Sequence, residues 1–87
     1  MVDYESALAI ANLTQEEVDA LARHEDLTAF AAVELGNYLC ETPRGERRLK
    51  RIILDEINAA RARGDHAAAA KLRLVVKHFV ETHPKAA

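Results

Sequence analysis

Fifteen consecutive residues, Leu27 to Glu41 (LTAFAAVELGNYLCE), constrain what this chain can fold into more than any other stretch. At about 100° per residue, Ala29, Ala31, Ala32, Val33, Leu35, Gly36, Leu39 and Cys40 cover more than half the perimeter of a helix. Glu34, Asn37 and Glu41 form a narrow polar stripe. A helix apolar over so wide an arc needs neighbours on several sides, so it is expected in the middle of a bundle. Ala29, Ala32, Gly36 and Cys40 also line up at three- and four-residue spacing, a seam of small side chains that lets another helix approach closely. Ala67 to Ala70 is the matching small-residue surface, and the expected partner of the seam.

The flanking sequence is punctuated as helices. Tyr4, Ala7, Leu8 and Ala11 share one face of a short segment near the N-terminus. Thr14-Gln15-Glu16-Glu17 reads as a capping box. Leu13 and Val18 are placed for a hydrophobic staple, and Val18, Leu21 and Ala22 make an inward stripe that ends near His24 to Asp26. Asp26 or Thr28 can cap the central helix. Thr42-Pro43 starts the next one, with proline at the position where its missing amide costs nothing. That helix buries Leu49, Ile52, Ile53, Ile57 and Ala60. Arg63-Gly64-Asp65 closes it and caps another, in a tight antiparallel hairpin. The tripeptide also spells an integrin-binding signal, but turn chemistry accounts for each of its residues. The last helix buries Ala68, Leu72, Val75, Val76 and Phe79, and Pro84 ends it.

The chain is therefore predicted to be all-α: a single domain over residues 1–87, a small bundle of three long helices (27–41, 43–63 and 65–83) preceded by one or two short ones. With 87 residues it buries about 60 to 70% of its unfolded surface and holds a stability of about 4 to 13 kcal/mol. A single cysteine, Cys40, cannot form an intrachain disulfide, and Met1-Val2-Asp3 lacks the positive start of a leader peptide, so a cytoplasmic location is the default. The apolar run is too short and too polar for a membrane span of about 20 residues.

The net charge of −2 conceals opposite halves. Up to Pro43 there are nine acids against one base, net −8; from Arg44 onward there are eleven bases against five acids, net +6. Acidic helices packing beside basic ones is the simple explanation; halves that meet across a subunit boundary, or a basic half facing an anionic partner, are the sharper ones. Arg44, Arg47, Arg48 and Arg51 gather at a helix N-terminus, where cations oppose the macrodipole. Glu41, Glu46 and Asp55 are the expected local compensation.

Nothing in the sequence assembles a catalytic site. His24-Glu25 begins like a zinc-protease helix, but position 28 is threonine where histidine is needed. His24, His66, His78 and His83 contain no pair four residues apart, so a metal or haem would need ligands from different helices. Ser6, the only serine, has no histidine nearby in sequence, and Cys40 reads as a small buried apolar residue. Leu54, Leu74 and Phe30 lie off the buried faces of their helices and form a candidate interaction face. A homodimer through the two C-terminal helices would use Leu54 and Leu74. The chain is therefore expected to be a non-enzymatic protein–protein interaction or adaptor module, self-associating as a dimer, with no cofactor. The alternatives are nucleic-acid or anion binding through Arg44, Arg47, Arg48 and Arg51, disfavoured by the overall charge, and a metal- or haem-binding bundle using the histidines.

Overall fold

The computed structural model describes residues 3–87, and in them the chain is all-helical. Met1 and Val2, read above as the start of a chain without a leader peptide, lie outside the described residues. Five α-helices follow in order: α1 (Tyr4–Ile10), α2 (Gln15–Glu25), α3 (Ala29–Leu39), α4 (Pro43–Ala62) and α5 (His66–Thr82), with a 3-10 turn at Pro84–Ala86. The helices expected over 27–41, 43–63 and 65–83 are present, but α3, at 11 residues, is no longer than α2, so two helices and not three are long. Residues such as Thr28, Cys40, Arg63, Asp65 and His83 stand at the caps, outside the helices proper.

Those caps are all present. Thr14 Oγ1 accepts from the Glu17 amide at 3.2 Å while Glu17 Oε1 accepts from the Thr14 amide at 2.8 Å, completing the capping box. Asp26 adopts the left-handed conformation and ends α2, leaving Thr28 as the cap of α3, accepting from Ala31 N at 3.2 Å. Thr42 Oγ1 accepts from Gly45 N and Asp65 Oδ1 from Ala68 N, both at 3.0 Å. Gly64, at φ +78°, supplies the turn between α4 and α5.

The centre of the bundle is α4, not α3. The amphipathic α4 packs against α2, α3, α5 and the C-terminal turn. Leu49, Ile52, Ile53, Ile57 and Ala60 are buried as their spacing predicts. The apolar arc of α3 is wide but made largely of alanine. Its buried residues are Ala32, Val33, Gly36 and Leu39, while Ala29 and Phe30 face outward. Small side chains gain little from being covered, about 0.8 kcal/mol per buried methylene-sized group, so the larger aliphatics of α4 take the centre. The small-residue seam does admit a close neighbour, but that neighbour is α2 and the turn before it. A β-carbon at Gly36 would lie 2.7 Å from Leu13 Cδ1 and 3.5 Å from Leu21 Cδ2. Ala67 and Ala70, the partners expected from sequence, are exposed.

Another close approach joins α3 to α4. A β-carbon at Gly45 would lie 2.6 Å from the Leu39 carbonyl carbon and 2.8 Å from its Cα, and nearer still to its oxygen. Glycine there lets the first turn of α4 rest directly on the backbone at the end of α3. At the other end of the chain, Nε2–H of buried His83 donates to the Ala11 carbonyl at 2.7 Å. Its ring stacks on Phe79 with centroids 4.4 Å apart, tying the end of α5 to the end of α1. Among the described residues, no helix is long and apolar enough to cross a membrane.

Candidate functional site

Arg44, Arg47, Arg48 and Arg51 occupy positions i, i+3, i+4 and i+7 of α4 and are all exposed, forming one stripe about 10 Å long with Lys50 half-buried beside it. The local compensation expected from sequence does not form. Glu46 turns into the core, Asp55 accepts from His24 at 3.1 Å on the α2 side, and Glu41 is exposed and in no ion pair among the described residues. Among the described residues, no carboxylate comes within 4.0 Å of any cation of the stripe. The inward turn of Glu46 is legible in hindsight: 46, 49, 53, 57 and 60 share one face of the helix. Exposed Tyr38 stands beside the stripe, lining with Arg44 and Arg48 a surface hollow of about 290 Å³. Two of the first amides of α4 are already used, because Thr42 takes the Gly45 amide by its hydroxyl and the Glu46 amide by its carbonyl.

A second surface lies between α2 and α5, which run antiparallel and touch only lightly. Arg23 lines it with Arg63 and Ala68 at one end, and Thr14 with Leu74 and His78 at the other. The result is a groove made of two adjoining hollows of about 280 and 300 Å³. Ala68, Leu72, Leu74 and Val75 give it an apolar lining, and Leu74 is 70% exposed. The α2 wall carries Glu16 and Asp19, and at its end Arg23, whose charge is paired with Glu56. The opposite wall carries Lys71, with His78 and Arg63 toward the ends. No ion pair spans the groove among the described residues.

The three hydrophobes singled out from sequence do not share one surface. Leu74 borders the α2–α5 groove. Half-buried Leu54 borders a separate hollow with Arg47, Lys50, Arg51 and the C-terminal Ala86 and Ala87. Phe30 packs edge-on against Tyr4, ring centroids 5.8 Å apart, and so holds α1 on α3. Helical wheels drawn one at a time could not show this, because which sides of α5 face α2 and α4 depends on the packing of all three.

The histidines are likewise dispersed. His24 sits between two carboxylates, Nδ1 at 2.6 Å from Glu25 and Nε2 at 3.1 Å from Asp55. Partial burial pulls its pKa down, but the hydrogen bonds and charges of Glu25 and Asp55 outweigh that and hold it above 6.5. Next to it Arg23 pairs with Glu56 at 3.3 Å, so α2 and α4 are stitched together by two contacts. His83 is committed to the Ala11 carbonyl, His78 lines the groove, and His66 is exposed at the start of α5. Among the described residues, no three His, Cys, Asp or Glu side chains are placed to hold a metal ion.

Two buried acids escaped the sequence reading. Glu17 is only 1% exposed and Glu46 is also buried; Glu17 Oε2 and Glu46 Oε1 make no hydrogen bond among the described residues. Burial pushes the Glu17 carboxyl above its usual value, against the opposing pull of the Thr14 amide and of His78 and His83. Cys40, half-buried, is pushed up to about 12 by burial and by Glu46 and Glu17, which leaves it a neutral thiol and a poor nucleophile. Compared with known proteins, the chain matches no family model, no curated protein and no solved structure.

Proposed function

We propose that this chain is a protein–protein interaction module that pairs with a second copy of itself through the α2–α5 groove. The observation that carries the reading is the groove itself: an apolar lining with exposed Leu74, between walls of opposite charge that form no ion pair with each other. Such a surface is self-complementary. A twofold axis along the groove sets α2 of each copy over α5 of the other, at the same level. It thereby brings Glu16 and Asp19 of each copy to Lys71 of the other.

The groove is short, about 15 Å from Ala68 to His78 along α5, which places the association among small reversible interfaces. Covering the exposed part of Leu74 contributes about 1 to 2 kcal/mol per copy, and so about 2 to 4 kcal/mol per dimer. Sedimentation equilibrium from about 1 µM to about 1 mM spans binding free energies of about −8 to −4 kcal/mol, the upper part of which requires the intersubunit ion pairs and the rest of the apolar lining to add to Leu74. The wild-type chain is expected to pass from monomer to dimer in that range. Leu74→Glu shifts it to monomer, and because Leu74 is exposed the fold is left intact. Glu16→Lys and Lys71→Glu each weaken pairing, and the two together restore it. A wild-type chain that stays monomeric at about 1 mM, or a double variant no better than its parents, refutes the reading.

A further inference from the structure

We propose that the arginine stripe of α4, together with Tyr38, binds a short segment of single-stranded nucleic acid. This surface shares no residue with the α2–α5 groove, so the proposal does not rest on self-association.

Four guanidinium groups in two turns of one helix repel one another and oppose the helix dipole, and among the described residues none of them is in an ion pair. Glu46, the acid nearest in sequence, is turned into the core and cannot neutralise an incoming anion's partners. Guanidinium groups bind phosphate oxygens in a bidentate fork that ammonium groups lack, and the stripe is built almost entirely of arginine. Its length of about 10 Å matches about three phosphates of one stacked strand at 3.4 Å each.

The aromatic ring decides between polyanions. Tyr38 is 68% exposed and lines a hollow together with Arg44 and Arg48. A phosphate-binding surface has no need of a solvated phenol ring, whereas an unstacked base has a π-face to lay on it. The footprint also favours one strand over two. Glu41 lies just before the stripe and Asp55 one turn beyond it, both exposed, and the first half of the chain is strongly acidic. A duplex contacted at six to ten phosphates would have to run over these acids; a strand contacted at three or four does not.

The test is fluorescence anisotropy of the full chain with a fluorescein-labelled oligonucleotide of about 15 nucleotides, in rising salt. Binding is expected at about 50 mM salt, with affinity falling as the second to third power of salt concentration, the release expected for three to four phosphates of a single strand. Arg47→Glu with Arg48→Glu abolishes binding while the circular dichroism spectrum is unchanged, since both residues are exposed. Tyr38→Ala weakens binding between about 5-fold and about 150-fold with the salt dependence kept. No saturable change at about 50 mM salt overturns the proposal, as does a double charge variant that binds like the parent. It is also overturned if Tyr38→Ala has no effect and heparin, which has no bases, competes equally well, or if the chain binds only vesicles of anionic lipid. A variant with Leu74→Glu, monomeric by the reading above, is expected to bind the oligonucleotide like the parent, which separates failure of one proposal from failure of the other.

Discussion

Replacing Gly45 with alanine adds one methyl group at the place where the chain has no room for it. The new carbon would fall 2.6 Å from the carbonyl carbon of Leu39 and 2.8 Å from its Cα, against about 3.4 to 4 Å in ordinary contact. Because the obstacle is backbone, no rotamer change relieves it, and α3 and α4 must separate by about 1 Å. Overpacking of this kind costs about 1 to 3 kcal/mol. Moving the first turn of α4 also strains the 3.0 Å bond from Gly45 N to Thr42 Oγ1, a cap worth about 1 kcal/mol. The better helix propensity of alanine returns at most about 1 kcal/mol. The net expectation is a loss of about 1 to 3 kcal/mol, which for a domain of this size lowers Tm by about 4 to 24 °C. Gly36→Ala is the internal control. Its β-carbon meets the end of the Leu13 side chain at 2.7 Å, and that side chain can move, so the gain in propensity offsets most of the crowding and the change stays within about 1 kcal/mol. Urea denaturation of the two variants measures both. If Gly45→Ala lies within about 0.5 kcal/mol of the parent, or costs no more than Gly36→Ala, the close backbone approach of α3 and α4 is not what holds them together.

Two further outcomes follow from the electrostatics. His24 has its folded pKa raised above 6.5 by Glu25 and Asp55, so its stabilising contribution is fully present below pH 6.5 and is lost as pH rises through the folded value; His24→Gln should flatten the stability curve in that window, and an unchanged urea midpoint profile would refute the linkage. Cys40, pushed up to about 12, should resist iodoacetamide at pH 8 in the native chain and react at full rate in denaturant. Native-state labelling as fast as that of a free thiol would show that the site is not buried beside Glu17 and Glu46.

The local grammar of this chain was legible without coordinates. Thr14, Thr28, Thr42 and Asp65 cap helices because a hydroxyl or carboxylate can reach an amide two or three residues on, which is a matter of sequence spacing alone. The buried face of α4 follows from a period of 3.6 residues for the same reason, and that of α5 does so for Leu72, Val75 and Phe79, whereas Ala69 takes the buried place expected of Ala68, and Val76 is only half-buried. What the sequence could not decide is which face meets which neighbour. The apolar arc of α3 is visible on its wheel, but only packing shows that its alanines yield the centre to the isoleucines of α4, and that Gly36 meets Leu13 instead of Ala67 to Ala70. The arginine stripe is readable from its spacing, yet that it stands uncompensated depended on where Glu46, Asp55 and Glu41 point. The α2–α5 groove lines up Glu16 with Lys71 across 55 positions of sequence, a juxtaposition that exists only once the helices between them have folded. Periodicity is a property of one helix and can be read one helix at a time; complementarity of surfaces is a property of pairs of helices and appears only when the tertiary structure brings them together.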